Sequence, residues 1–306
     1  MHERVAADGT RLRWRDEGDG TPLLLLTGLG ATSVAWDPLT AHMTTQHRML
    51  LPENRGALED DGSHGELTLA QLADDAVGAL DAAGIRTAHV AGNSLGGMIA
   101  QELALRHPDR VRSLILAATS PGVPCVPASP LFAWHMARAA TSSGGTRERH
   151  LAACFLGRNA ATSAPCEEGG LARLRITEGH RRQLRAALRW SALRRLHRLA
   201  VPTLVLHGAD DRLLPPMNAR LLARLIPNAR LHLLPGAGHF FISEAAAPAA
   251  AAIDLFLAAV ETAPAPTAPA RSEATFPERW QRVLTQVTRR ATVTRGALAA
   301  GGALPA

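Results

Sequence analysis

Apolar residues along this chain come in two rhythms. Short unbroken runs recur at 22–28 (PLLLLTG), 47–56 (HRMLLPENRG), 87–93 (TAHVAGN), 111–119 (VRSLILAAT), 202–208 (PTLVLHG) and 229–236 (ARLHLLPG). Between them lie longer stretches in which apolar residues return every third or fourth position, at 33–46, 68–83, 95–107, 216–226 and 243–260. A strand covered on both faces reads as a continuous apolar run, whereas a helix lying on a sheet reads as a stripe. The runs therefore predict strands and the stretches predict helices. The connections are too long for hairpins and suit parallel pairing. The pattern predicts an α/β protein with a mostly parallel central sheet flanked by helices.

The alternation breaks twice. Residues 121–200 read as helices and loops inserted between two sheet strands. Such an insertion is expected to cap the carboxyl ends of the strands, where open α/β sheets take their ligands. The core is thus expected over 1–120 and 201–261, with the cap at 121–200. At 262–270 the stretch TAPAPTAPA predicts an extended Pro/Ala linker. Beyond it, in the basic segment 271–295, Phe276, Trp280, Val283, Leu284 and Val287 share one face of a predicted amphipathic helix. The final Gly/Ala stretch reads as disordered. The apolar helix face either packs on the protein or a second subunit, or lies on a hydrophobic granule or membrane surface.

Charge sharpens this division. All 33 basic residues are Arg: residues 1–120 carry 10 against 16 acidic residues, 138–198 carry 13 against 4, and 271–295 carry 6 against 2. The basic segments read as solvated helix faces or as surfaces that attract anions. A nucleic-acid partner is not expected, since the chain has no Tyr and no recognisable nucleic-acid module. Its polar start does not read as a secretory signal, and no apolar run reaches the ~18 residues that a membrane span needs. Cys125, Cys154 and Cys166 lack metal-ligand spacing, and their odd number argues against a disulfide framework. The expectation is a reduced, cytoplasmic protein with no metal, cofactor or transmembrane segment.

One stretch concentrates chemistry. Gly92-Asn93-Ser94-Leu95-Gly96 is a G-x-S-x-G sequence placed where a predicted strand gives way to a predicted helix. That is the setting of a nucleophile elbow, in which Gly92 and Gly96 leave room for a tight turn with the serine at its exposed tip. The helix N-terminus beyond it offers N–H groups to an anion. A serine hydroxyl needs a base, and the base needs an orienting acid. HGADDRLLP (207–215) sets Asp210 and Asp211 at the end of a predicted strand, and PGAGHFF (235–241) sets His239 between the last strand and the last helix. No carboxylate follows the strand at 111–119, the other common place for the acid. Ser94, Asp211 and His239, in this order and placement, predict the triad of an α/β-hydrolase fold. Asp211 is preferred to Asp210 because it fills the Asp of the H-G-x-x-D-x-x-[VIL]-P pattern that hydrolases of this type carry. The expected oxyanion donors are the main-chain N–H groups of Leu95 and of Leu29. Leu29 lies in the loop TGLGA (27–31), where Gly28 and Gly30 let backbone approach a substrate.

Longer stretches narrow the picture. LILAATSPGVPCVPASP (114–130), LRWSALRRLHRLAVPTLVLHGADDRLLPPMNARLLARLIPNARLHLL (188–234), Gly28-Leu29-Gly30-Ala31 and Gly238-His239-Phe240-Phe241 resemble intracellular medium-chain-length poly(3-hydroxyalkanoate) depolymerases. The resemblance implies a serine esterase that works through an acyl-enzyme, without a cofactor, on medium-chain hydroxyalkanoate polyesters or oligomers. LLPENRGALEDDG (50–62) looks instead like a loop of small-molecule esterases, including methyl esterases of polyketide pathways. A small-ester or lactone hydrolase of secondary metabolism therefore stays open, as does a C–C hydrolase using the same triad. From another class, so does a non-enzymatic ligand-binding protein on a hydrolase scaffold.

Overall fold

The computed structural model describes residues 1–43, 46–58, 60–160 and 177–262. Its strands are β1 (His2–Val5), β2 (Arg11–Glu17), β3 (Thr21–Leu26), β4 (His47–Pro52), β5 (Ala88–Asn93), β6 (Val111–Ala117), β7 (Thr203–Gly208) and β8 (Ala229–Leu234). They form one sheet in the order β1-β2-β4-β3-β5-β6-β7-β8. From β4 to β8 every pairing is parallel, as the apolar runs predict, and only β1 and β2 join antiparallel.

Successive side chains of a strand point to opposite faces, and here both faces are covered. Leu24 and Leu26 of β3 enter one core while Leu23 and Leu25 enter the other; Leu114 and Leu116 of β6 part in the same way from Ile115 and Ala117. Apolar runs without interruption are the consequence. The flanking helices in chain order are α1 (Asp37–Thr40), α2 (Leu69–Ala82), α3 (Leu95–Arg106), α4 (Pro130–Thr141), α5 (Gly144–Phe155), α6 (Glu178–Arg189), α7 (Met217–Leu225), α8 (Phe241–Glu244) and α9 (Ala246–Thr262). Leu72, Ile99 and Leu222 bring α2, α3 and α7 into the first core; Leu39 and Ile253 bring α1 and α9 into the second.

Three elements differ from expectation. The polar start of the chain forms the β1–β2 hairpin. Leu12 and Trp14 point inward from β2, while Arg13 and Arg15 reach Glu3, Asp60, Glu17 and Asp37 on the other side. The helix expected over 33–46 is cut to a 3-10 turn at Ser33–Trp36 and the single turn α1, after which the His42 and Met43 N–H groups bond three residues back. The last helix, expected over 243–260, is split at Ala245 into α8 and α9. Pro248 in the first turn of α9 has no N–H to offer Glu244, so the helical ladder cannot run through.

Helices α4, α5 and α6 fall between β6 and β7; α5 and α6 contact the loops at the carboxyl ends of the parallel strands, and α4 packs on α5. The Phe155 carbonyl accepts from the His239 N–H at 2.7 Å, and the α6 residue His180 lies against Gly30. Residues 161–176 of the expected cap, Cys166 among them, lie outside the described residues. So do 263–306, which hold the rest of the expected linker, the basic segment 271–295 and the terminal stretch; Thr262 still belongs to α9. Among the described residues no helix is long and apolar enough to cross a membrane.

Candidate active site

The strand order turns back at β3: its successor β4 pairs on one side and β5 on the other. Loops leaving β3 and β5 therefore part and open a crevice, the usual ligand position of such sheets. Leu29 sits on the first loop and Ser94 on the second.

Ser94 is the single residue between β5 and α3, at φ 55° and ψ −115°. A side-chain-bearing residue there costs about 1–3 kcal/mol, so its surroundings must hold it. Its N–H donates to the Ala117 carbonyl at 2.9 Å, and its carbonyl accepts from the Thr119 hydroxyl at 2.7 Å and the Gly97 N–H at 3.0 Å. A Cβ on Gly92 would lie 2.1 Å from the Gly96 oxygen, and one on Gly96 would lie 2.0 Å from the Leu26 oxygen. Only glycine lets β3, β5 and α3 converge this closely. The same construction at Gly28 meets the Ser94 Cβ at an ordinary 3.5 Å, so Gly28 brings the loop beside the serine without being sterically required.

Three side chains from three loops then form one line. The Ser94 hydroxyl lies 3.2 Å from His239 Nε2, and His239 Nδ1 lies 2.8 Å from Asp211 Oδ2. Burial disfavours the Asp211 carboxylate, but the His239 and His207 rings and their hydrogen bonds prevail and hold its pKa well below the usual carboxylate range. An ionised Asp211 can only accept, so His239 Nδ1 carries the proton and Nε2 is left to accept from Ser94. Asp210 points elsewhere, accepting from Arg158 Nη2 at 2.9 Å and from the Arg158 N–H at 3.2 Å.

The loop after β3, which carries Leu29, is ordered by neighbours. Asn54 Nδ2 donates to the Thr27 carbonyl at 2.9 Å and to its hydroxyl at 3.0 Å, and Glu53 accepts from the Ser33 N–H and hydroxyl. Among the described residues no group accepts from the Leu29 or Leu95 N–H. Leu95, the first residue of α3, has a buried side chain. Among the described residues no three His, Cys, Asp or Glu side chains converge to hold a metal ion.

A family model described as alpha/beta hydrolase fold matches residues 21–246. The chain belongs to the α/β-hydrolase fold family. The poly(3-hydroxyalkanoate) depolymerase of Ectopseudomonas oleovorans is 32% identical over 233 residues, which cover 74% of this chain and 82% of that protein. The 2-hydroxymuconate semialdehyde hydrolase of Pseudomonas putida is 31% identical over 278 residues, covering 83% of this chain and 93% of that one. Among solved structures, a thermophilic esterase from Thermogutta terrifontis aligns with a TM-score of 0.70 at 25% identity, over 86% of this chain and 100% of that chain.

Two further residues of this α/β hydrolase, His207 and Glu244, shape the site and are not among those expected from the sequence. His207 Nε2 donates to the Leu214 carbonyl at 2.7 Å and lies 3.2 Å from Asp211 Oδ2, giving the carboxylate a second N–H neighbour; the Leu214 N–H occupies Oδ1 at 2.9 Å. Glu244 ties the His239 loop to the insertion, accepting from the Gly238 N–H at 2.5 Å and the Gly157 N–H at 2.9 Å. Burial pushes its carboxyl up, against those two N–H groups. His207 opens the His-Gly-x-x-Asp stretch and was within reach of pattern reading. Glu244 lies on a one-turn helix with no local signal of its role.

Proposed function

We propose that the protein hydrolyses carboxylic esters through an acyl-enzyme on Ser94. The observation that carries this is the continuous line from Ser94 Oγ through His239 to a buried, ionised Asp211, with distances of 3.2 and 2.8 Å. Ser94 Oγ attacks the ester carbonyl while His239 Nε2 takes its proton. The Leu29 and Leu95 N–H groups donate to the oxygen that becomes negative, in a site where such donors need no reorganisation. His239 returns the proton to the leaving alcohol. Water, deprotonated by the same nitrogen, then releases the acid, while Asp211 keeps the imidazole in the needed tautomer and stabilises its charged form.

The substrate class we propose is a medium-chain 3-hydroxyalkanoate ester, as an oligomer or polyester. The Phe155 and Phe240 rings stack at 4.9 Å and flank His239, and Phe132 packs edge-on against Phe155 at 5.8 Å, an aromatic wall suited to an apolar acyl chain. The relative named as a depolymerase supports the same class. A soluble small-ester or lactone hydrolase is the second reading. It is favoured by the Glu53-Asn54-Arg55-Gly56 loop; the relative named for a small semialdehyde supports a small soluble substrate, without bearing on the ester bond. Clearing of an amorphous medium-chain polyhydroxyalkanoate suspension, with p-nitrophenyl octanoate alongside and Ser94→Ala as control, tests both. Clearing that Ser94→Ala abolishes is expected. Octanoate cleavage without clearing moves the substrate to a soluble ester. Turnover of neither overturns ester hydrolysis in favour of C–C chemistry or ligand binding.

A further inference from the structure

We propose that helix α6 of the insertion sets the oxyanion hole through Gln183, which makes Gln183 a positioning residue for the reaction. The inference rests on the role proposed above for the Leu29 N–H. Gly28-Leu29-Gly30-Ala31 is a β-turn: the Ala31 N–H donates to the Gly28 carbonyl at 3.2 Å, and Gly30, in the third place, has φ +67°. That closing bond turns the Gly28 carbonyl inward. The Leu29 N–H lies on the opposite edge of the same planar peptide and so faces out of the turn. The central peptide carries the Gly30 N–H, which has no acceptor within a β-turn.

Gln183 supplies that acceptor. Its Oε1 accepts from the Gly30 N–H at 2.8 Å, and its Nε2 donates to the Arg55 carbonyl at 2.9 Å, so both ends of the amide are used. The side chain is fully buried, on a helix whose exposed positions are Glu178, Arg181, Leu184, Arg185, Leu188 and Arg189. A helix that had only to pack would carry an apolar residue there, because a buried amide is costly unless both ends are bonded. The rest of α6 is fitted to the same place. The His180 ring lies 3.1 Å from where a Gly30 Cβ would stand, a Cβ on Gly179 would lie 2.2 Å from the Gly56 oxygen, and Arg182 donates to the Ser63 and His64 carbonyls.

The other ties on this loop, Asn54 to Thr27 and Glu53 to Ser33, come from the core. Gln183 comes from the insertion. Displacement of α6 releases the Gly30 N–H and loosens the Leu29 N–H beside it, so full stabilisation of the oxyanion requires α6 to be seated. The insertion thereby acts on the rate of the chemical step as well as on access to the serine.

The test compares the full-length wild type, Gln183→Met, which keeps the volume and loses both bonds, and Gln183→Glu. Three quantities are read: kcat/KM on p-nitrophenyl octanoate, affinity for an alkyl trifluoromethyl ketone that adds Ser94 to form a tetrahedral anion, and affinity for 1-octanol, a neutral ligand of the same chain length. Gln183→Met is expected to lower kcat/KM and ketone affinity by the same factor, about 10–100-fold, and to leave 1-octanol affinity unchanged. A buried Glu stays protonated toward neutral pH, and then reproduces both bonds of Gln. The Gln183→Glu to wild-type ratio is therefore expected to be near one at low pH and to fall as pH rises. The proposal is overturned if Gln183→Met matches wild type, if ketone and 1-octanol affinities fall together, or if the Gln183→Glu ratio is low at every pH. Should Gln183→Met not fold, the Gln183→Glu ratio decides alone. Labelling with a fluorophosphonate separates the two levels: a wild type whose Ser94 stays unlabelled fails the esterase reading, and this proposal with it. A labelled wild type matched by Gln183→Met fails only the positioning role.

Discussion

Asp211→Asn exchanges one carboxylate oxygen for an amide nitrogen of nearly the same size, and the structure dictates where the nitrogen goes. Oδ1 accepts from the Leu214 N–H at 2.9 Å, so the amide oxygen keeps that place and the NH2 takes the place of Oδ2. There it meets two nitrogens, His239 Nδ1 at 2.8 Å and His207 Nε2 at 3.2 Å. His207 cannot yield its proton, because Nε2 donates to the Leu214 carbonyl at 2.7 Å. His239 can yield, by accepting at Nδ1 and carrying its proton on Nε2. That proton then faces the Ser94 hydroxyl, and the base has become a donor. The wrong tautomer costs about 10³–10⁴-fold in kcat, about 4–5.5 kcal/mol of barrier. The remaining clash of donors at His207 leaves a buried group unsatisfied, for about 1–3 kcal/mol of stability. The assay is kcat and KM on p-nitrophenyl octanoate, with thermal unfolding run in parallel. A folded Asp211→Asn variant within about tenfold of wild type, 1.4 kcal/mol, would refute the assignment of Asp211 as the orienting acid.

Asp210→Asn provides the contrast: its partner Arg158 is largely exposed, so kcat should fall by less than about threefold, and a loss comparable with Asp211→Asn would reverse the choice between the two residues. Gly96→Ala places a Cβ 2.0 Å from the Leu26 oxygen and 2.7 Å from the Thr27 oxygen, forcing α3 and the end of β3 about 1 Å apart. A loss of about 1–3 kcal/mol in denaturant unfolding and about 10²-fold in kcat should accompany each other, and unchanged kinetics would show that the separation is not critical. Burial lowers the His89 pKa from 6.5 to about 4, opposed by the hydrogen bond that His89 Nε2 donates to the Glu261 carboxylate. The unfolded chain therefore takes up a proton over that window that the folded one refuses. Stability is fully present above about pH 6.5 and lost as pH falls toward 4, by about 3 kcal/mol. Unfolding midpoints of wild type and His89→Gln should converge as pH falls through this window, and parallel curves would exclude His89 as the source.

Much of this was legible along the chain because it depends on local order. The runs at 22–28 and 111–119 declare two-sided burial by lacking polar interruptions, and Gly92 and Gly96 declare a tight turn by lacking side chains. Ser94, Asp211 and His239 each follow a strand, and all parallel strands of one sheet end on the same side. Their convergence was therefore implied before any distance was known. The β1–β2 hairpin was not legible, because its inward residues are only Leu12 and Trp14 amid charges that pair across the sheet edge. The break at Ala245 was hidden in an apolar stretch whose period runs through it.

The partners that hold the site were decided by tertiary structure alone. Gln183 lies 153 residues from Gly30, and Asn54 lies 27 from Thr27, and no pattern along the chain couples them. A buried amide is stable only where its donor and acceptor are both met, and that match exists only once α6, the loop after β3 and the loop after β4 are folded against one another. The identity of the proposed reacting groups is a property of short stretches and their order. Their geometry, the tautomer of His239 and the bond that holds the turn carrying the Leu29 N–H come from contacts between segments that are distant along the chain.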